Sequence, residues 1–317
     1  MGHPAISVLT CVIAAYTIAI AIYPAFRYRN ASNIVTVTLA CVGVTLCLLI
    51  IPQAQVVLRA MTAVLLVDLF FRLIDFARQS RHGKTEAIGW GTYCRFLIPF
   101  PLFLVVFGQK DRRRLRDERS MADVLRLILG SAGVAIGFML LFAANEITAV
   151  QTSFVLGHIT RLLIFALTVE SLAQALCGLE HLVGFDTRPI VDRAFVSRTP
   201  ADFWQRFNSR IQSWWYLNVF VPSDGRHAPI RGVWATFLAS AILHEVAFTI
   251  ATSRITGNQL IFFLLQAPAV LASPWLNRVS RAGGAAIAHA VTILWIGMTS
   301  IFFFNDLERV FTFFYNG

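Results

Sequence analysis

The sequence predicts an all-α, polytopic membrane protein with about eight transmembrane helices, a re-entrant segment and an amphipathic interfacial helix. Three observations predict it. Hydrophobic residues fill 57% of the 317 positions. Charged residues make up only 14%, where an average soluble domain carries about 25%. The apolar residues come in continuous runs near the ~20 residues that a bilayer core requires, without the alternation of an outer-membrane barrel. The chain, 1–317, reads as a single integral membrane domain.

The eight runs lie at about 6–26, 34–52, 56–76, 122–144, 153–176, 232–251, 259–276 and 285–304. A shorter run, about 94–108, contains Arg95, Pro99 and Pro101. Loop charges set its topology, because Lys and Arg concentrate on the cytoplasmic side. Arg78, Arg81 and Lys84 precede the short run, and Lys110, Arg112, Arg113, Arg114, Arg116 and Arg119 follow it. Both basic loops are cytoplasmic only if the short run dips in and returns. The loop at 145–152, free of Lys and Arg, then falls outside. The Arg-rich stretch 177–231 falls inside, as do Arg278 and Arg281. Both termini are expected outside, and the sequon Asn30-Ala31-Ser32 inside and unmodified. Met1-Gly2-His3-Pro4 lacks a basic signal-peptide region, so the first run is expected to be retained.

The loop 177–231 is too long and too aromatic for a simple connector. Within it, Thr199-Pro200-Ala201-Asp202 has the form of a capping box with Pro at the first helical position. A helix should run from there to about Val219, with Phe203, Phe207, Ile211 and Trp214 or Trp215 on its apolar face. Such a helix lies at the membrane surface or packs on the bundle.

The net charge of +10 is carried by these loops. No basic soluble face with interleaved aromatics stands apart from the apolar runs, so nucleic-acid binding is not predicted. The cysteines, Cys11, Cys41, Cys47, Cys94 and Cys177, are odd in number and unpaired in spacing. That argues against a disulfide framework or a zinc site, and no metal site is predicted. G-x-S-x-G, P-loop, H-E-x-x-H and C-x-x-C patterns are all missing.

Ionisable residues inside apolar runs are costly, which makes them functional candidates. The sharpest is His244, followed by Glu245, over halfway along the sixth run. A neutral imidazole there can take a proton from a hydroxyl; equally, it can be a helix-packing residue bonded to a carbonyl. Asp68, Arg72 and Asp75 share one helical face. Their mixed signs favour an internal ion pair over a substrate contact. His158, Arg161 and Glu170 read the same way, His289 reads as packing, and Glu180-His181 is a weak acid/base pair.

The residues Phe203-Trp204-Gln205-Arg206-Phe207-Asn208, Trp214, Val219-Phe220-Val221-Pro222, Phe237 to Ser240, His244-Glu245 and Phe262 to Gln266 occur in a fixed order over about 195–276. This region resembles the wax synthase-like branch of the membrane-bound O-acyltransferase superfamily. Phe207 departs from it, since many members carry Trp there. The resemblance implies acyl transfer from acyl-CoA, as co-substrate and without a further cofactor, to a lipophilic alcohol, fatty or terpenoid. It places the catalytic pair on His244, as general base, and Asn208. Glu245, Trp204, Arg206 and Trp214 are the expected substrate-binding residues, with Arg206 or Arg210 near the CoA phosphates on charge alone. Two other readings stay open: isoprenoid cyclisation on the same scaffold, and a transporter using Asp68, Arg72, Asp75, Arg161 and Glu170 as a polar path.

Overall fold

A computed structural model describes residues 4–27, 33–81, 88–107 and 120–314. Asn30-Ala31-Ser32, Lys84 and the basic cluster 110–119 lie outside the described residues. The regular elements are helices: α1 (Pro4–Ala21), α2 (Tyr23–Arg27), α3 (Asn33–Leu46), α4 (Val56–Arg81), α5 (Trp90–Leu97), α6 (Met121–Asn145), α7 (Thr148–Thr152), α8 (Phe154–Val183), α9 (Pro200–Phe207), α10 (Gln212–Trp215), α11 (Pro229–Thr252), α12 (Asn258–Val279) and α13 (Ala285–Val310).

Five segments among the described residues are long and apolar enough to cross a membrane: Pro4–Phe26, Met121–Asn145, Phe154–Val183, Pro229–Thr252 and Asn258–Val310. The last is bent where α12 passes into α13, at Ser280–Gly284, and Gly283 takes φ +92° there. A left-handed backbone of this kind favours glycine. α4 is as long, but Arg59, Asp68, Arg72, Asp75, Arg78 and Arg81 interrupt its apolar character. Large apolar side chains such as Leu129, Met139, Leu163 and Met298 stand exposed on the outer faces of these helices, as hydrocarbon contact demands. The chain is an integral membrane protein.

α1, α3 and α4 form one packed group around Cys11, Ala15, Val44, Leu69 and Phe76. Tyr93 of α5 is locked into it, with its hydroxyl donating to Ala19 O at 2.6 Å. α6 and α8 run in close contact, and a Cβ on Gly130 would lie 2.5 Å from Ala175 N. Small residues permit such backbone approach between membrane helices. α11, α12 and α13 form the third group, and α4 packs against α11 to join it to the first.

The mixed charges of α4 hold the chain after α5. Arg72 Nε donates to Asp68 at 2.5 Å, and its other nitrogens donate to Phe96 O and Pro101 O. Phe103 N–H donates to Asp68 and Phe107 N–H to Asp75. Non-helical backbone needs such partners when it is removed from water. These groups therefore brace residues 98–107 and leave the transporter reading without its polar path. Its remaining members are also engaged: Arg161 donates to Asn145 Oδ1, and Glu170 accepts from Arg193 N–H. His158 bonds Gly297 O and Ser300 Oγ, and His289 bonds Ser197 O. Both are packing histidines.

One sequence expectation is corrected. The surface helix begins as predicted, with Thr199 Oγ1 accepting from Asp202 N–H at 3.1 Å. It does not run unbroken to Val219. α9 stops at Phe207, residues 208–211 unwind, and α10 is followed by a π-helical turn over Tyr216–Phe220.

Candidate active site

The break after α9 delivers Asn208 to the mouth of a cavity of about 430 Å³ bounded by α4, α8, α9, α11, α12 and α13. The volume falls within the ~300–1,000 Å³ typical of small-molecule sites. Its walls are mostly phenylalanine and aliphatic side chains. Apart from the tryptophans, the polar side chains among them are Asn208, Ser240, His244 and Ser300. Met61 and Val64 line the cavity and are 62% and 47% exposed, so it opens sideways on the apolar outer surface of α4.

His244 enters from α11. Its Nδ1 lies 2.8 Å from the carbonyl oxygen of Ser240, one turn earlier. A carbonyl only accepts, so Nδ1 carries the proton; in the neutral ring Nε2 then holds the lone pair, and it has no hydrogen-bond partner among the described residues. The ring packs on Phe263 at a centroid distance of 4.1 Å, which restrains its tilt. Asn208 has the opposite arrangement. Its backbone O accepts from Gln212 N–H, while its carboxamide has no hydrogen-bond partner among the described residues. The cavity thus brings together one free base and one free amide, with the remainder of its lining nearly all apolar.

The profile of MBOAT, the membrane-bound O-acyltransferase family, matches residues 128–305, more than half of the chain and inclusive of both Asn208 and His244. The chain belongs to this family. Among curated proteins it is similar to "Probable long-chain-alcohol O-fatty-acyltransferase 7" of Arabidopsis thaliana, with 27% identity over 200 residues, 58% of this chain and 57% of the relative. The chain spans a little over half the length of that relative.

Of the other expected site residues in this membrane-bound O-acyltransferase, Trp204 also lines the cavity, packed among Phe203, Phe207, Phe237 and Phe263. Three residues are not brought to it. Glu245 faces the start of α12, where its carboxylate accepts from the N–H groups of Thr256, Gly257 and Gln259 at 3.0, 2.8 and 3.2 Å. It satisfies one donor of the first turn of α12, Gln259 N–H, and two of the turn leading into it. Trp214 is buried with its indole N–H donating to Phe71 O at 2.8 Å. Arg206 lies on the half-exposed outer side of α9, bonded to Asp202 at 2.7 Å. That hydrogen bond raises its pKa, so it stays charged. Arg210, the alternative phosphate ligand, is buried and paired with Glu180 at 2.6 Å. His181 is likewise committed, to Asp123 and Thr187 O.

Sequence reasoning gave no site role to Ser240, Phe263 or Ser300, although Ser240 and Phe263 stand within the motifs that carry the family resemblance. Ser240 had a signal: it stands four residues before His244, within reach of one helical turn. Phe263 comes from another helix and had only its place in the Phe262–Gln266 motif, and Ser300, also on another helix, carried no signal.

A second apolar cavity, of about 470 Å³, lies on the other side of α4 and α11 and includes Leu48, Ile74, Trp214 and Ile250. The two cavities share Ala63, Val67, Phe71, Trp215, Leu243 and Ala247 as a common wall.

Proposed function

We propose that this protein transfers an acyl group from acyl-CoA to the hydroxyl of a long-chain lipophilic alcohol. The observation that carries the reading is the meeting of His244 and Asn208, each with its working atoms unengaged, in one apolar cavity. The alcohol oxygen attacks the thioester carbonyl carbon as His244 Nε2 takes its proton. Asn208 Nδ2 donates to the acyl oxygen as negative charge gathers there. Collapse of the tetrahedral intermediate breaks the C–S bond, and the proton on Nε2 passes to the departing CoA sulfur. The apolar walls keep water from the thioester.

Long-chain substrates are favoured over compact terpenoid alcohols by two things. The Arabidopsis relative is named for a long-chain alcohol, and the adjoining cavities offer extended apolar space. The sideways opening beside Met61 and Val64 suits an alcohol arriving through the bilayer. Trp204 would bound the reacting groups, and Arg206 would offer a surface charge to the CoA head. Trp214 and Glu245 serve as scaffold in this reading. It also keeps eight crossings, counting α4 with its paired charges, α3 with the turn after it, and α12 and α13 separately. Residues 90–107 are the re-entrant segment, the catalytic region is 195–276, and the loop 177–231 faces the cytoplasm.

Purified protein and its His244→Ala variant in nanodiscs, given acetyl- or palmitoyl-CoA with a panel of fatty and terpenoid alcohols, test this directly. Ester and free CoA thiol are followed by mass spectrometry. Ester formation from palmitoyl-CoA and a fatty alcohol is expected, with loss in the variant. Absence of CoA release from well-folded wild-type protein with every pair would sink the proposal.

A further inference from the structure

The unwound residues around Asn208 are held by a set of bonds to the loop after α8. Three successive carbonyls of the loop after α8 accept from the residues that follow Asn208. Arg188 O takes Arg210 Nε at 2.6 Å, Pro189 O takes the Ser209 hydroxyl at 2.5 Å, and Ile190 O takes Ser209 N–H at 3.0 Å. On the other side of Asn208, Asp192 N–H donates to Arg206 O at 3.0 Å. The loop is therefore fastened both before and after Asn208.

Arg210 anchors this cradle to the bundle. Its guanidinium makes a two-pronged contact with Glu180 of α8, at 2.8 and 2.6 Å, and also donates to Leu102 O at 2.8 Å. Arg210 and Glu180 are 4% and 1% exposed. Thr187 Oγ1 donates to the same carboxylate at 2.6 Å. A two-pronged arginine–carboxylate contact fixes orientation as well as distance. The side chains of Glu180, Thr187, Ser209 and Arg210 are all hydrogen-bonded to protein, while the Asn208 carboxamide at the centre has no hydrogen-bond partner among the described residues.

We propose that the Glu180–Arg210 pair, with Ser209, is a positioning device that sets the Asn208 carboxamide against the reacting acyl oxygen. This rests on the role given to Asn208 above. None of the three touches substrate; they act through Asn208. Misplacing a reacting group by about 1 Å can cost on the order of 100-fold in rate, so the device matters even though it is remote from the chemistry.

A double-mutant cycle on kcat tests it with the full-length protein in nanodiscs, using palmitoyl-CoA and hexadecanol. Asn208→Ala is expected to lower kcat by about 100-fold. Arg210→Gln is expected to lower it by about 10- to 100-fold, with Arg210→Lys intermediate and KM for both substrates within about twofold. The double variant Asn208→Ala/Arg210→Gln should be no slower than Asn208→Ala alone, because the pair has nothing left to position. Ser209→Ala, which deletes one hydrogen bond, and its combination with Asn208→Ala repeat the cycle should Arg210→Gln fail to fold. If Asn208→Ala keeps wild-type kcat, the acyl-oxygen role of Asn208 fails and the device with it. If Asn208→Ala is slow but the losses multiply in the double variants, the positioning role alone is overturned. Wild-type kcat in both Ser209→Ala and Arg210→Gln overturns it as well.

Discussion

Replacing Glu245 with glutamine exchanges one carboxylate oxygen for an amide nitrogen, and the structure says what that costs. One oxygen accepts from both Thr256 and Gly257 N–H, and the other accepts from Gln259 N–H. The carbonyl oxygen of glutamine can keep the first two bonds. The new NH2 then faces a backbone donor, so one bond is lost and one buried N–H is left unpaired. Such a group costs about 1–3 kcal/mol, and loss of the negative charge at the start of α12 adds about 0.3–1 kcal/mol. Glu245→Ala removes all three bonds and leaves three N–H groups without this acceptor, so it costs more than Glu245→Gln. Thermal unfolding in detergent should rank wild type above Glu245→Gln and Glu245→Ala last. Turnover of folded Glu245→Gln protein should stay near wild type. A Glu245→Gln protein as stable as wild type but without activity would refute the capping argument. It would return Glu245 to the substrate-binding role that its place beside His244 suggests.

Other perturbations follow from the same geometry. Gly130→Ala would place a methyl group 2.5 Å from Ala175 N; the α6–α8 contact must open, lowering stability by about 1–3 kcal/mol in thermal unfolding. Asp68→Ala leaves the buried guanidinium of Arg72 and the N–H of Phe103 without their carboxylate. A loss of about 3–5 kcal/mol is expected, together with faster proteolytic cutting within 98–107. Ala247→Phe adds a ring to the wall between the two cavities and should shift the product ratio toward shorter alcohols by about tenfold in a mixed-chain competition.

The runs read from composition correspond closely to helices: 122–144 to Met121–Asn145 and 232–251 to Pro229–Thr252, for example. Bilayer length and apolar composition act locally, so each run announces itself. The break at Asn208 did not. Phe203, Phe207, Ile211 and Trp214 keep helical spacing across it, and the groups that unwind the chain belong to the loop 188–192, well before it in sequence. Charge alone misled at Arg210, because its partner Glu180 stands thirty residues away. Adjacency misled at Glu245. Neighbours on a helix do not share a face, so the residue next to a cavity-lining histidine points elsewhere. His244 stood out because a polar side chain amid apolar ones is a local signal, whereas Asn208, one of several polar residues on its helix, was pointed to only by the family resemblance.

His244 and Asn208 take their hydrogen bonds from different elements, although Phe263 packs on both His244 and Trp204. His244 takes its orientation from its own helix, through Ser240 O, whereas the chain at Asn208 is tied to α8 and the loop beyond it. A rigid shift of α11 relative to α8 therefore changes the gap between imidazole and carboxamide while leaving each one's local geometry intact. The site behaves as two jaws on separate mounts. Bilayer thickness acts on helix tilt, and a tilt of α11 against α8 is the kind of displacement that would alter this gap.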